Sequence, residues 1–195
     1  MMKGRLVDIR FAKENDIEDI IPWTLDEELC RLLYGSLLRS KNEQAVFLRD
    51  LIGQNNKTFP PSLFFIIESR SGLPIGFINL HSIDWRNRNL MNDMAIADKG
   101  YRGRGAAIEV ISLAMKMIFK ELNMNKLSGN IYDFNEVSLS LYKKCSVFGV
   151  VQEGTLRKHV FKFGRYHDAH IFSILKEDYD KNCRVLDKFA ATGEK

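Results

Sequence analysis

Apolar and polar residues follow one another along the chain in a pattern that predicts strands and helices in turn. Alternation over residues 6–11 predicts a first strand, and apolar runs over residues 63–67, 74–84 and 90–97 predict three more. A turn at Ser71-Gly72 joins the second and third of these strands as a hairpin. Later strands are predicted over residues 126–132, 150–157, 160–163 and 167–175, the last two joined at Gly164-Arg165.

Helical spacing of apolar residues predicts helices between these strands. A short helix capped by Asn15 or Asp16 is expected to end at Pro22, because proline lacks the N–H that would continue it. The helix predicted over residues 106–122 is apolar except for one narrow polar stripe, so we expect it to be largely buried. Further helical segments are predicted over residues 23–40, as one or two turns, over residues 41–52, ended by Gly53, and over residues 135–144.

The order of these elements is typical of a mixed α/β (α+β) fold with a partly antiparallel sheet. The 195 residues suit one domain with a substantial core, and no repeat or linker interrupts them. We expect this domain to cover residues 1–179, followed by a polar and partly helical C-terminal tail over residues 180–195.

The net charge of the chain excludes few kinds of binding partner. A net charge of +4 and a pI near 8.9 suit a polyanionic ligand and permit an RNA or ribosomal partner. No block of Lys and Arg interleaved with aromatic residues occurs, so nucleic acid is not expected as a partner.

Cysteine and histidine usage argues against a metal site and against a disulfide framework. The three cysteines stand far apart without a C-x-x-C pair, and the four histidines are scattered. The N-terminus lacks the apolar region of a signal peptide, and no apolar run reaches membrane-spanning length. We therefore expect a cytoplasmic protein without a metal or a membrane partner.

A glycine-rich turn before the long helix carries the first chemical signal. The strand that ends near residue 97 leads into Arg102-Gly103-Arg104-Gly105-Ala106, and the helix starts there. The first N–H groups of a helix lack partners, and its dipole favours an anion at that end. Glycines let a phosphate approach the main chain, and the arginines add positive charge. This turn is predicted to hold a pyrophosphate.

Three phosphate-loop patterns can be compared with this turn. The dinucleotide pattern G-x-G-x-x-G lacks its third glycine here, and the nucleotide loop G-x-x-x-x-G-K-[ST] is absent. The pattern R/Q-x-x-G-x-G/A fits, with Arg102, Gly105 and Ala107. A turn with a purely structural role is the alternative.

The helix predicted from residue 135 carries a second signal. Asn135 is a good N-cap, and Asn135, Ser138 and Tyr142 share one helix face because they stand three and four residues apart. Such a face could line an extended polar ligand. The alternative is a helix cap followed by a half-buried tyrosine.

Taken together, residues 6 to about 179 resemble the GNAT superfamily of N-acetyltransferases. The chain is most similar to the branch that contains the RimJ/RimL ribosomal-protein acetyltransferases and the spermidine acetyltransferases. The segment over residues 143–149 is longer than is usual in the family. The patterns that carry the resemblance are residues 102–107, residues 122–127, Asn135 with Tyr142, and residues 152–154 with 164–168.

The resemblance implies one domain whose central, mostly antiparallel twisted sheet is flanked by helices and splayed at an acetyl-CoA site. The pyrophosphate would lie on the turn, the pantetheine would extend the strand edge near residues 94–97, and an N–H near Ile96 would polarise the thioester. Asn135 would contact the pantetheine arm, and Tyr142 would donate a proton to the CoA thiolate. The implied cofactor-binding residues are Ala95, Ile96, Ala97, Arg102, Gly103, Arg104, Gly105, Ala106, Ala107, Asn135, Ser138 and Tyr142.

Acetylation of an amine also needs a group that removes its proton, because an ammonium has no lone pair. Asp93, directly before residues 94–97, is the first candidate for this base, His81 on the preceding strand the second and Glu68 the third. The alternatives are that Asp93 caps a strand and that His81 only packs.

These observations predict an acyltransferase that moves acetyl from acetyl-CoA to a primary amine by direct attack. The acceptor stays open between a protein or peptide N-terminus, a polyamine, an amino sugar and an antibiotic, although the lack of an acidic cluster disfavours a polyamine. A non-catalytic acyl-CoA-binding or sensing module and an RNA- or ribosome-associated protein are the competing functions. A homodimer is compatible with all of them.

Overall fold

A computed structural model describes residues 1–32 and 40–190. Within these residues eight strands form one sheet. The strands are β1 (Met2–Lys3), β2 (Val7–Phe11), β3 (Leu63–Ser69), β4 (Pro74–Asp84), β5 (Asn89–Ile96), β6 (Lys126–Tyr132), β7 (Val151–Lys162) and β8 (Arg165–Leu175). The α-helices are α1 (Ile17–Leu25), α2 (Glu27–Leu32), α3 (Lys41–Gly53), α4 (Ala106–Lys116), α5 (Glu136–Lys144) and α6 (Lys176–Ala190).

The sheet confirms the expected mixed α/β fold and opens where the resemblance implies. Its order is β1-β2-β3-β4-β5-β6-β8-β7, and each neighbouring pair is antiparallel except β5 with β6. The parallel pairing of β5 with β6 ends at Met91 and Ser128, although both strands continue. Beyond these two residues the sheet is splayed, which leaves one backbone edge of β5 unpaired.

Each face of the sheet carries its own apolar cluster. On one face α4, the π-helical turn that follows it (Met117–Glu121) and α6 pack through Val110, Phe119 and Tyr179. The rings of Phe119 and Tyr179 stack with their centroids 5.0 Å apart. On the other face α1 and α3 pack through Ile20 and Leu48. Successive strand residues point to opposite faces, so residues near the end of β5 belong in turn to one cluster and then the other, as Ala95 and Ile96 do. The splay connects the two faces of the sheet.

The N-terminal part of the polar stripe on α4 is buried rather than solvated. The Glu109 side chain is 2% exposed, and its carboxylate accepts the backbone N–H groups of Leu6 at 2.7 Å and Val7 at 3.1 Å. A buried carboxylate requires hydrogen-bond donors, and the backbone just before and at the start of β2 supplies them. This contact fixes the start of α4 beside the glycine turn.

Two boundaries predicted from the sequence are wrong. Pro22 lies inside α1, which continues to Leu25, because Glu18, whose carbonyl loses its helical partner, is exposed to water. The two strands predicted over residues 150–157 and 160–163 form the single strand β7, bent by an irregularity between Leu156 and Val160.

The ends of two other predicted elements also differ from the structure. The helix predicted to residue 122 is α-helical to Lys116 and ends in a π-helical turn, Met117–Glu121. Helix α6 runs across the expected domain boundary at residue 179, and the boundary itself stays a prediction. Residues 33–39 of the predicted helical stretch and residues 191–195 of the predicted tail lie outside the described residues.

Candidate active site

The turn between β5 and α4 has the backbone geometry that an anion site needs. Gly103 and Gly105 adopt left-handed φ angles of 73° and 86°, which residues with a Cβ rarely adopt. Gly105 is the N-cap of α4, so the N–H groups of Ala106 and Ala107 belong to the unpaired first turn of the helix. A Cβ on Gly103 would meet no atom within 4 Å, so the outer side of the turn is open to a ligand.

The sequence suggests that the Arg102 side chain adds positive charge for a pyrophosphate, but in the structure this side chain is bonded within the protein. Its guanidinium donates to Ile96 O at 2.9 Å, to Ala97 O at 3.2 Å and to the Glu28 carboxylate at 2.6 Å. Its backbone N–H donates to Lys99 O. Arg102 therefore secures the end of β5 to the turn and to α2.

The unpaired edge of β5 presents a different set of backbone groups from the set implied by the resemblance. Ala97 N–H donates to Ile75 O at 2.8 Å, on the β4 side. Since alternate residues of a strand point to opposite neighbours, Ala95 also faces β4, whereas Met94 and Ile96 face the splay. Ala95 and Ala97 pack instead in the cluster with α1 and α3. The groups available to a ligand are those of Met94 and the N–H of Ile96.

Helix α5 brings its predicted face to the other side of the splay. The Asn135 side chain caps the helix by accepting Ser138 N–H at 3.1 Å and donates to Leu32 O at 3.2 Å. Both ends of this amide are thus occupied, one by the cap expected from the sequence and one by α2. Ser138 and Tyr142 line the cleft next to it.

Tyr142 is held as a neutral phenol. Its ring packs on Phe172 at 5.5 Å, and the Asn92 side chain hydrogen-bonds to the phenol. Burial, with the nearby Cys145 and Asp93, raises the pKa of Tyr142 to about 12, while the bond to Asn92 opposes the increase. The phenol therefore stays protonated at neutral pH and can donate a hydrogen bond.

Two of the predicted base candidates form one unit on the opposite face of the sheet. His81 Nε2 lies 3.2 Å from Asp93 Oδ2, and His81 Nδ1 lies 3.1 Å from Ser82 Oγ. Asn79 stands directly across from Asp93 in the β4–β5 register. Its Oδ1 is buried without a partner among the described residues, although buried polar atoms normally have one.

A cleft of about 540 Å³ runs through the splay and connects Tyr142 on one face of the sheet with Asp93 and His81 on the other. His81, Asp93, Asn135, Ser138 and Tyr142, all predicted from the sequence, line this one cleft. Asp93 is the one acidic residue among the described residues that line it. Glu68, the third candidate base, lies outside the cleft, where its carboxylate accepts Arg10 Nε at 2.6 Å.

Helix α2 crosses the opening and joins its two sides. Glu28 pairs with Arg102 on the glycine turn, and Leu32 O accepts a hydrogen bond from the Asn135 side chain at the start of α5. At the same end of α2, Lys162 of β7 donates to the carbonyls of Cys30 at 2.5 Å and Arg31 at 2.7 Å. A ligand that fills the splay therefore lies beside a helix that is fixed to both walls.

Reasoning from the sequence missed several residues of the cleft, among them Asn79, Asn92 and His159. Asn79 and Asn92 stand two and one positions from predicted site residues, but only the strand register shows that they face the cleft. Strand alternation from His81 could have found Asn79. His159 reaches the cleft through the irregularity in β7, for which the sequence gives no local signal.

Among the described residues, no helix is long and apolar enough to cross a membrane. In the same part of the chain, no three His, Cys, Asp or Glu side chains come together as metal ligands.

A glycine turn at a helix N-terminus, an unpaired strand edge and a cleft with a phenol and a carboxylate define an acetyl-CoA-dependent N-acetyltransferase. Comparison with known proteins agrees. The chain belongs to the GNAT acetyltransferases, since the family model described as Acetyltransferase (GNAT) domain matches residues 6–147. Its acyl donor is acetyl-CoA, and the catalytic interpretation is favoured over a non-catalytic module.

Individual relatives have related names. The SPbeta prophage-derived uncharacterized N-acetyltransferase YokL of Bacillus subtilis (strain 168) is 29% identical over 167 residues, which are 85% of this chain and 89% of the relative. The spermidine N(1)-acetyltransferase of Vibrio cholerae serotype O1 is 30% identical over 115 residues, 59% of this chain and 64% of the relative.

A solved structure shows the same fold. The crystal structure of spermidine N-acetyltransferase from Vibrio cholerae in complex with CoA and spermine superposes with a TM-score of 0.79 at 24% identity. The superposition covers 89% of this chain and 98% of that structure. At this identity the likeness supports the overall fold and leaves the acceptor open.

Proposed function

We propose that this protein acetylates an α-amino group, such as a peptide N-terminus, by direct attack of the amine on acetyl-CoA in a ternary complex. The observation that carries the proposal is the arrangement of one cleft: Tyr142 reaches it from the α4 face, and Asp93 with His81 from the α1 face. The leaving sulfur and the attacking amine would then be served from opposite sides of the splay.

On the donor side, backbone groups would hold acetyl-CoA. The pyrophosphate would bind the N–H groups from Gly103 to Ala107, and the pantetheine would pair with Met94 and Ile96 on the open edge of β5. The N–H of Ile96 would then donate to the thioester oxygen, where negative charge develops during attack. Ser138 would line the pantetheine, with Asn135 keeping the start of α5 in place.

On the acceptor side, Asp93 and Asn79 would bind the ammonium and position its nitrogen. The amine would lose its proton to Asp93, and the 3.2 Å contact would let His81 share this proton. The neutral nitrogen forms the amide bond to the acetyl carbon as the carbon–sulfur bond breaks. Tyr142 would stabilise the departing CoA thiolate by a hydrogen bond, since a phenol with a pKa of about 12 keeps its proton beside an ordinary thiolate.

The energy of deprotonation favours an α-amine over a lysine-like amine. At pH 7, neutralising an amine with a pKa near 10.4 costs about 4.6 kcal/mol, whereas an α-amino group with a pKa near 8 costs about 1.4 kcal/mol. A carboxylate beside the amine increases this cost, because it stabilises the ammonium. A site with one carboxylate is therefore better suited to the α-amine.

A polyamine is the second candidate acceptor, because relatives bear the name spermidine N(1)-acetyltransferase. A polyamine carries several positive charges, and their burial requires several negative partners. The described lining of the cleft supplies Asp93 as its one acidic residue and adds two histidines. The charge of the cleft thus supports a singly charged acceptor.

Initial rates of CoA thiol release from acetyl-CoA, measured with a peptide, spermidine and an amino sugar, test the proposal. We expect the peptide to be the best acceptor, with intersecting initial-velocity lines, because both substrates bind before any product leaves. Asp93→Asn should lower the rate with the peptide by about 100-fold while acetyl-CoA still binds. Binding of acetyl-CoA without turnover on any amine would refute the enzymatic role.

Two further proposals concern the assembly and location of the protein. A homodimer is supported by the edge strand β7, whose Val151, Leu156 and Phe161 are exposed apolar residues. A cytoplasmic location is supported by Cys30, Cys145 and Cys183, which are all free thiols. Sedimentation of the purified protein and localisation of a tagged chain test these two statements.

A further inference from the structure

The irregularity in β7 directs a histidine into the acceptor cleft. The β7–β8 ladder pairs Leu156 with Ala169 and Val160 with His167. Arg157, Lys158 and His159 therefore stand opposite Asp168 alone, outside the regular ladder. His159 lines the same cleft as Asp93 and Tyr142. Bulges beside active sites commonly redirect a side chain in this way.

A specific contact maintains this bulge although its backbone is strained. Lys158 has a φ of 50°, in the left-handed region that residues with a Cβ rarely occupy. Its N–H donates to Asp168 Oδ1 at 2.7 Å, so the carboxylate holds the bulge in place. Strained backbone that persists through a dedicated contact is often part of a functional site.

The bulge also places basic residues next to the histidine that lines the cleft. Arg157, Lys158 and His159 are all exposed, and among the described residues none of these three side chains has an ion-pair partner. Asp93, the one acidic residue of the described lining, comes from β5. The cleft therefore combines a negative group for an ammonium with the imidazole of His159, which Arg157 and Lys158 precede in the chain.

We propose that the β7 bulge selects acceptors that carry a carboxylate close to the reactive α-amine, with His159 as the residue that contacts it. This inference rests on the proposed function and specifies its acceptor. The carboxylate can be the side chain of an acidic residue near a peptide N-terminus or the α-carboxylate of a free amino acid. In both cases the amine lies at Asp93 and the carboxylate at His159, flanked by Arg157.

The test compares acceptors that differ in one charge. Peptides beginning Ala-Glu, Ala-Gln and Ala-Lys but otherwise identical are acetylated by the full-length protein, next to free alanine, alanine amide and spermidine. We expect kcat/KM for the Ala-Glu peptide to exceed that for the Ala-Gln peptide about tenfold, and the Ala-Lys peptide to be poorest. A preference for free alanine over its amide would identify an amino acid as the source of the carboxylate.

Substitutions assign the preference to the bulge. His159→Gln should reduce the Glu-to-Gln ratio to within about twofold of one. Arg157→Gln should reduce the same ratio by a smaller factor. His170→Gln is the matched control, because His170 bonds to Gln152 and Thr155 on the strand surface and should leave the ratio unchanged.

The outcomes separate this inference from the proposed function. Equal rates for the three peptides, a wild-type ratio that survives His159→Gln, or a higher rate with spermidine would overturn the role of the bulge. The first two of these results leave α-amine acetylation intact. A folded protein that acetylates no amine at all would overturn the proposed function and, with it, this inference.

Discussion

The two sides of the cleft are built in different ways. The proposed donor side comes from one continuous segment, from Met94 on β5 through the glycine turn to Ala107 on α4, and the ligand groups proposed for it are mostly backbone N–H groups. The acceptor side combines side chains of β4, β5 and β7 with α2 lying across them. Backbone groups tolerate side-chain replacement, so we expect acceptor-side substitutions to alter chemistry and donor-side substitutions to alter binding.

Tyr142 lies where the two sides meet, and its loss should lower activity more than changes at Glu28 or Asp16. Tyr142→Phe removes the hydrogen bond to the departing thiolate and should lower kcat about 100-fold, with little change in KM for acetyl-CoA. Because burial and neighbouring groups raise the pKa of Tyr142 to about 12, its titration should not appear in the pH–rate profile below pH 10. Steady-state thiol release measures both quantities.

A matched control for that change is Tyr166→Phe, because Tyr166 is 62% exposed on β8. The control should keep the wild-type kcat. A Tyr142→Phe enzyme with an undiminished kcat would remove the phenol from the mechanism and leave the acceptor side as the main source of catalysis.

A substitution at Glu28 tests whether the ion pairs between α2 and the glycine turn help to position that turn for acetyl-CoA. Its carboxylate accepts Lys99 and Arg102, each at 2.6 Å, and these partners lower the pKa of Glu28. Glu28→Gln should raise KM for acetyl-CoA by a few fold and leave kcat at saturating acetyl-CoA unchanged, since exposed ion pairs contribute little. Glu27→Gln, on the neighbouring exposed residue, is the control. A fall in kcat with constant KM would show that Glu28 acts on the chemical step instead.

The smallest effect on activity is expected far from both sides, at Asp16. Burial raises the pKa of this carboxylate, but hydrogen bonds from the Arg10 guanidinium and the Lys13 N–H more than offset it and lower the pKa. A lowered folded-state pKa stabilises the protein above about pH 4, and this stabilisation is lost as the pH falls through the folded-state value. Asp16→Asn should therefore destabilise the fold by about 1–3 kcal/mol at pH 7.

Urea unfolding at several pH values measures this contribution. The difference between wild type and Asp16→Asn should shrink as the pH falls below about 4, and the specific activity of folded protein at pH 7 should not change. Asp19→Asn, which alters an exposed carboxylate on α1, should behave as wild type. A stability difference that stays constant down to pH 2 would show that packing, rather than charge, is responsible.

The difference between the two sides also explains what the sequence could predict. The glycine turn and the face of α5 depend on residues within a few positions of one another, so helix period and capping rules were sufficient to locate them. The direction of the Arg102 side chain was not predictable in this way, because its partner Glu28 lies on a different element. For the same reason the sequence does not show that the backbone N–H groups of Ala95 and Ala97 face β4.

On the acceptor side the sequence supplied the residues but not their relations. Asp93 and His81 were competing candidates, and only the register of β4 with β5 makes them a pair. The position of His159 depends on a bulge held by Asp168, a contact between two strands that no local pattern encodes. Helix α1 continues past Pro22 because the carbonyl of Glu18, which loses its helical hydrogen bond, belongs to an exposed residue. This exposure depends on how α1 packs in the fold, which the local sequence does not show.

The most direct test of α-amine acetylation is mass-spectrometric localisation of the acetyl group on one peptide with both kinds of amine. The peptide begins Ala-Glu, contains one internal lysine and is incubated with the protein and acetyl-CoA at pH 7. We predict acetylation of the α-amine with the lysine unmodified. Acetylation of the lysine alone, or no acetylation while spermidine is modified under the same conditions, would contradict the account.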